Sequence, residues 1–188
     1  MPINLSKGQK VSLTKDNPGL NNVTVGLGWD INKYDGQAAF DLDAAAFMLG
    51  SNGQIPAQEF FVFYNNMKSP DGSVETTGDD LTGGNSDGGD DETLNVDLTK
   101  VSPQIQEIVF TATIHKAEER RQNFGQVRNS YIRIYDAKKN EEIARYDLDE
   151  DFSIETAVEF GGRIFEDEFL NHVRQGFRVG GVALQNGA

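Results

Sequence analysis

Residues 108–114 read IVFTATI, and this stretch decides the fold class. Its apolar side chains recur at every second position, and the positions between them hold Val109, Thr111 and Thr113. Successive side chains of a β-strand point to opposite faces of a sheet. The side chains on both faces of this predicted strand are suited to burial. This pattern predicts a strand in the middle of a sheet rather than at its edge.

The same alternation recurs in short segments on both sides of this stretch. Further strands are predicted at residues 11–13, 23–27, 40–44, 60–64, 94–98, 131–135, 143–148 and 155–160. Helical patterns occur at residues 117–122 and in one turn near Pro103, and residues 165–174 fit either a helix or two strand ends. Many short strands with glycine-rich connections indicate an all-β fold, a β-sandwich of two sheets with one or two short helices. The length predicts a single domain, residues 1–188.

The composition excludes several kinds of site and partner. There is no cysteine, which excludes disulfides and thiolate metal sites and favours a reducing compartment. A net charge of −13 and a pI near 4.5 argue against binding nucleic acid through its phosphates. The N-terminal residues lack the apolar stretch of a signal peptide, and no segment has the length of a membrane-spanning helix.

Acidic residues are concentrated between Lys68 and Lys100, a stretch without any basic residue. Nine of the 30 acidic residues lie there among six glycines: Asp71, Glu75, Asp79, Asp80, Asp87, Asp90, Asp91, Glu92 and Asp97. Crowded carboxylates repel one another, and a flexible, oxygen-rich loop supplies what a hard divalent cation needs. The segment therefore predicts a long acidic loop that binds calcium. It is not an EF-hand, because neither Asp71 nor Asp79 begins a loop with the required residues.

Two neighbouring segments add oxygen ligands to this prediction. Asp41 and Asp43 share one face of a predicted strand whose other face is apolar, which is costly unless a cation neutralises them. Asn65 follows the next apolar run. Within the loop, alternation of an extended chain predicts that Asp90 and Glu92 share one site. The alternative is that the acidic stretch is a solvated loop without a metal.

Eight motifs, in order along the chain, resemble the TerD family of tellurium- and stress-resistance proteins. They are LSKGQKVSLTK (5–15), GLGWD (26–30), FDLDAAAF (40–47), FVFYNN (61–66), SPDGSVETTGDD (69–80), GGDDE (88–92), TIHKAEERRQNFGQVRNSYIRI (113–134) and ARYDLDEDFSIETA (144–157). The resemblance implies a two-sheet sandwich that binds calcium, commonly as two ions at adjacent sites, with no established catalytic activity. It also implies a bacterial cytoplasmic protein linked to tellurite, phage and stress resistance. Such a protein acts with other tellurium-resistance proteins, including at the inner face of the membrane.

The resemblance also implies which residues of this chain bind the metal, because the family's acidic motifs match positions in this sequence. The candidate metal ligands are Asp30, Asp41, Asp43, Asn65, Asp71, Ser73, Glu75, Asp79, Asp90, Asp91 and Glu92. The first choices among them are Asp41, Asp43, Asp79, Asp90, Asp91 and Glu92. Asp80 stands where the family usually has Asn, Lys116 stands where Asp is common, and residues 81–89 form a longer segment than usual. These departures bear on the geometry of one site.

Three functions fit these observations. The first is a non-catalytic, calcium-binding stress-response protein that acts as a calcium-dependent interaction or scaffold module. The second is a calcium-dependent lectin-like or membrane-surface module, which ranks lower because the acidic loop contains no aromatic or basic residue. The third is a metal-assisted hydrolase, for which the sequence offers no nucleophile motif. We therefore expect the chain not to be an enzyme.

Overall fold

A computed structural model describes residues 3–4, 17–33, 36–84, 89–151, 157–163 and 172–175. The strands in these ranges are β1 Ile3–Asn4, β2 Asn22–Gly28, β3 Leu42–Leu49, β4 Phe61–Val62, β5 Val74–Thr76, β6 Glu92–Asp97, β7 Glu107–Ile114, β8 Tyr131–Asp136, β9 Glu141–Asp147, β10 Ala157–Arg163 and β11 His172–Gln175. The helices are α1 Ala117–Arg120, α2 Leu148–Asp151 and the 3₁₀ turns Gln58–Phe60, Leu98–Lys100 and Phe124–Gln126.

The strands form two sheets, which confirms the predicted all-β sandwich. One sheet has the order β1-β9-β8-β2-β6-β5, and the other has the order β11-β10-β7-β3-β4. Neighbouring strands run antiparallel except for β1, which pairs with β9 in parallel. Apolar side chains from both sheets form one buried core cluster.

The strand β7 lies in the middle of the five-stranded sheet, between β10 and β3. Ile108 and Phe110 are fully buried, and Thr111 on the opposite face is only 1% exposed. Burial of both faces confirms the central position that the period of two predicted.

The hairpin of β8 and β9 also follows its sequence prediction. The connecting turn covers residues 137–140, and Asn140 adopts a left-handed backbone with φ of 52°. The carboxylate of Asp136 accepts the backbone N–H groups of Lys138 and Lys139, at 2.8 and 3.2 Å, which closes the turn.

Three predicted elements differ in extent. The apolar run at residues 60–64 contributes only the two-residue strand β4. Gln58–Phe60 forms a 3₁₀ turn before it, and Phe63 and Asn66 close a turn after it with two backbone hydrogen bonds. The helix predicted at residues 117–122 ends at Arg120, since Arg121 adopts a left-handed backbone. The acidic segment is not one continuous loop: β5 forms inside it and pairs with β6, because Val74 and Thr76 are buried.

Some predictions fall outside the described residues. The predicted strand at residues 11–13 lies there, as does the beginning of the strand predicted at 155–160. Within the described ranges, no helix has the length and apolar character needed to span a membrane.

Candidate metal centre

Three carboxylates converge at one end of the sandwich. Asp41 precedes β3, Asp43 is the second residue of β3, and Asp79 follows β5 of the other sheet. One oxygen of each lies within 4.8 Å of the others. The cluster forms because Leu42 is fully buried and Asp41 and Asp43 occupy the alternate positions. The structure therefore brings together three of the six first-choice residues.

The electrostatics of the cluster favour a cation. Burial raises the pKa of Asp43 to about 7, and the negative charges of Asp41 and Asp79 add to this rise. Burial likewise raises the pKa of Asp41, although electrostatic interactions with His115 and Arg120 offset part of the effect. Burial removes these negative charges from stabilising contact with water. A divalent ion between the carboxylates would supply a compensating positive charge.

One oxygen of the cluster lacks a partner. Asp41 is 7% exposed, and its Oδ1 atom is buried without a hydrogen bond in the described structure. Two basic side chains approach the cluster without replacing a metal: Nη1 of Arg120 is 3.9 Å from Asp41 Oδ2, and Nδ1 of His115 is 3.8 Å from Asp43 Oδ2. Both distances exceed hydrogen-bond length. Buried carboxylate oxygens normally have partners, so the missing partner of this atom calls for an explanation.

Glu92 lies beside the cluster and links the two sheets. It belongs to β6, and its carboxylate accepts the N–H of Ala44 on β3 at 2.8 Å and the N–H of Asp80 at 3.1 Å. Burial raises the pKa of Glu92 to about 8, although the two hydrogen bonds act in the opposite direction. Asp43 and Asp79 contribute to this rise, which places Glu92 within the electrostatic field of the cluster.

Replacing Glu92 with alanine is expected to lower the free energy of unfolding by about 2–4 kcal/mol, because two backbone N–H groups lose their acceptor. Urea unfolding in EDTA at pH 6 measures this cost. Glu92 is neutral at that pH, which keeps charge repulsion out of the comparison.

The matched control for this variant is Glu75→Ala. Glu75 is exposed on β5, and its ion pair with Lys68, at 3.4 Å, lies on the surface. The control is expected to change the free energy of unfolding by less than about 0.5 kcal/mol. Equal losses in both variants would show that Glu92 does not link the sheets.

Asp90 and Asp91 are engaged elsewhere. Asp90 accepts hydrogen bonds from Nε and Nη2 of Arg133, at 2.8 and 3.0 Å, and from the hydroxyl of Tyr131 at 2.8 Å. Asp91 accepts the backbone N–H of Trp29 at 2.8 Å. Asp90 and Glu92, which the sequence predicts at one site, therefore have different hydrogen-bond partners in the structure.

Asp71 and Ser73 form a turn in the structure. Oδ1 of Asp71 accepts the hydroxyls of Ser69 and Ser73 at 2.7 Å, and Oδ2 accepts the N–H of Ser102 at 2.8 Å. Burial raises the pKa of Asp71, but these hydrogen bonds outweigh burial and hold the pKa below its ordinary value. The carboxylate is satisfied by the protein and does not lie among the three clustered oxygens.

The remaining sequence-predicted acidic residues do not belong to the cluster of three carboxylates. Glu75 pairs with Lys68. Asp30 accepts the side-chain amide of Asn129 at 2.8 Å. Asn65 is exposed in the turn after β4. The sequence predicts that all of these residues belong to one set of metal ligands. In the structure, Glu75 and Asp30 each contact a different side chain.

Glycines position the acidic segment, and sequence reasoning missed their role. Gly83 and Gly84 have φ of 67° and 74°, and a Cβ at Gly83 would collide with the Trp29 ring. The N–H of Gly84 donates to the carbonyl of Trp29 at 2.9 Å. A Cβ at Gly26 would likewise collide with the Asp90 carboxylate. The sequence signal for this role was the glycines in GLGWD (26–30) and in TGG (82–84), because glycine permits a close approach of other side chains to the backbone.

The TerD domain profile matches residues 1–180 of the chain. The chain belongs to the TerD family. General stress protein 16U of Bacillus subtilis (strain 168) is 54% identical over 158 residues, which cover 84% of this TerD chain and 81% of that protein. Tellurium resistance protein TerD of Serratia marcescens is 52% identical over 161 residues, 86% of this chain and 82% of that protein. These names describe resistance and stress proteins.

Solved structures share the architecture of this TerD-family protein. The crystal structure of a homologue of telluride resistance protein TerD from Streptomyces coelicolor A3(2) superimposes with a TM-score of 0.72. The match covers 90% of this chain and 99% of that chain at 23% sequence identity. At this identity the likeness establishes the fold of the TerD domain and says nothing of ligands.

Proposed function

We propose that this TerD-family protein is a non-catalytic calcium-binding protein of the bacterial stress response. Asp41, Asp43 and Asp79 would hold the ion, with Glu92 beside them. The observation that carries the proposal is the buried, unpartnered Oδ1 of Asp41. Burial removes water from this oxygen. Without a cation, no other partner takes the place of that water.

The donor set favours calcium over softer metals. All three grouped side chains are carboxylates, and the chain has no cysteine. Hard oxygen donors select calcium or magnesium, and an irregular set with varied exposure suits the flexible coordination of calcium better than the strict octahedron of magnesium. The proposal includes a second ion in the acidic segment, as the family resemblance implies.

The ion would make this end of the sandwich a calcium-dependent interaction module. Three carboxylates leave positions open in a shell that takes six to eight oxygens. We propose cytoplasmic action with other tellurium-resistance proteins. The names of the relatives support a role in stress or tellurium resistance.

Titration calorimetry on chelator-treated protein at pH 8 tests the proposal. Saturable binding of one or two calcium ions per chain is expected, with weaker binding of magnesium. Asp41→Asn is expected to weaken calcium binding by about tenfold or more, since one ionised ligand is lost. The control Glu141→Gln removes an acidic residue at the β8–β9 turn, at the opposite end of the sheet, and should bind like the wild type. Absence of binding at millimolar calcium contradicts the proposal.

A further inference from the structure

Exposed apolar side chains surround the candidate metal centre. In the described part of the chain, the exposed large apolar residues are Ile31, Tyr64, Met67 and Leu81, which we call the apolar rim. All four lie on connections at or beside the acidic segment. Leu81 is 58% exposed and follows Asp79 by two residues.

The other members of the apolar rim are tied to the same region. The negative charges of Asp43, Asp79 and Asp41 add to the burial that raises the pKa of Tyr64, so its ring lies close to the cluster. Met67 accepts the N–H of Thr76, at the end of β5, through its carbonyl at 2.9 Å.

Ile31 connects the apolar rim to a small cavity whose lining includes Lys33 and Arg128. A Cβ at Gly84 would collide with its side chain, so Ile31 packs against the acidic segment. The cavity has a volume of about 110 Å³ and is lined by Ile31, Asn32, Lys33, Phe40, Gln126 and Arg128. Phe40 of the lining directly precedes Asp41 in the chain, so the cavity and the metal centre lie at the same end of β3. Lys33 and Arg128 are exposed and can reach an anion at its mouth.

We propose that this end of the protein docks on an anionic phospholipid surface when calcium is bound. Phosphate oxygens of the headgroups fill open coordination positions of the ion, Lys33 and Arg128 contact further phosphates, and the apolar rim enters the interfacial layer. This inference rests on the proposed calcium site.

The arrangement favours a bilayer over a folded protein partner. The apolar rim lies on three separate connections, at residues 29–33, 63–68 and 77–84, with carboxylates between them. A protein partner usually buries a continuous core patch. A fluid interface accepts isolated apolar side chains, and an amphipathic tyrosine suits the headgroup layer. Without calcium, the net charge of −13 opposes contact with anionic lipid, so docking depends on the ion.

Vesicle sedimentation tests this inference with the full chain. Vesicles of equal parts phosphatidylserine and phosphatidylcholine are expected to sediment the protein in millimolar calcium, and to leave it in solution in EDTA. The double variant Ile31→Ser, Leu81→Ser is expected to bind about tenfold more weakly or worse, because two apolar insertions are lost. Lys33→Gln should also weaken binding, whereas Lys139→Gln, at the β8–β9 turn, should not.

Calorimetry on the same variants separates this inference from the proposed function. Wild type and the double variant should bind calcium with equal affinity, because neither exchanged residue supplies a carboxylate. Calcium binding without vesicle binding overturns only the membrane inference, and loss of both overturns the calcium site. Unchanged vesicle binding by the double variant, or equal binding to pure phosphatidylcholine, also overturns the inference. Sedimentation of the protein with calcium alone would indicate self-association instead.

Discussion

Replacing Asp43 with asparagine is expected to raise the thermal midpoint of the metal-free protein at pH 8 and to abolish most of the rise that calcium produces. Asp43 has a pKa of about 7, so at pH 8 it carries a charge that burial and two neighbouring carboxylates oppose. Removing that charge is expected to stabilise the metal-free fold by on the order of 2 kcal/mol. Because Asp43 is also a proposed calcium ligand, the same replacement is expected to lower the affinity for calcium.

Differential scanning calorimetry with EDTA and with calcium measures both effects. Calcium at 100 times its dissociation constant stabilises the wild type by about 2.7 kcal/mol, which corresponds to a shift of about 5–10 °C for a chain of this size. The control Glu141→Gln should keep this shift. A variant at Asp43 that lowers the metal-free midpoint and still responds fully to calcium would show that this carboxylate serves packing rather than the ion.

The free energy of unfolding of the metal-free protein is expected to fall as the pH rises from about 5 to about 8, because the folded pKa values of Asp43 and Glu92 are about 7 and about 8. Unfolded Asp and Glu titrate near 4, so between these limits the folded state binds more protons than the unfolded state. Stability then decreases with pH by linkage, and it becomes constant above the folded pKa values. A fall on the order of 4 kcal/mol is expected.

Urea unfolding in EDTA across this pH range provides the measurement. Saturating calcium should remove the fall, because the ion binds the ionised carboxylates and its affinity rises with pH. The variant Glu92→Gln should show a shallower pH dependence than wild type, since one of the two shifted groups no longer titrates. Metal-free stability that increases between pH 5 and pH 8 would mean that both carboxylates are ionised without penalty.

The strands could be predicted where local alternation decides their burial. The strand β7 and the β8–β9 hairpin followed directly from period-two patterns and turn residues. The strand in the acidic segment was harder to predict. The many charged residues around it obscure the short alternation of Val74 and Thr76 that forms β5. Pairing with β6 supplies the burial there, and such pairing is a property of distant residues.

The metal centre was predictable only in part for the same reason. Asp41 and Asp43 fall on one strand face, which a period of two reveals. The approach of Asp79 depends on the stacking of the two sheets. Asp90 is held by Arg133, 43 positions away, and composition alone cannot distinguish a carboxylate paired with arginine from one available to a cation. The sequence therefore predicts a set of acidic ligands, and the structure brings Asp41, Asp43 and Asp79 of that set together.

Glu92 and the carboxylate cluster have a kinetic consequence. Asp41 and Asp43 belong to one layer of the sandwich and Asp79 follows a strand of the other, so an ion held by all three crosses the seam between the layers. Release of such an ion would require Asp79 to move away from Asp41 and Asp43. The lifetime of the bound state would then depend on how often the connection that carries Asp79 separates from the other layer.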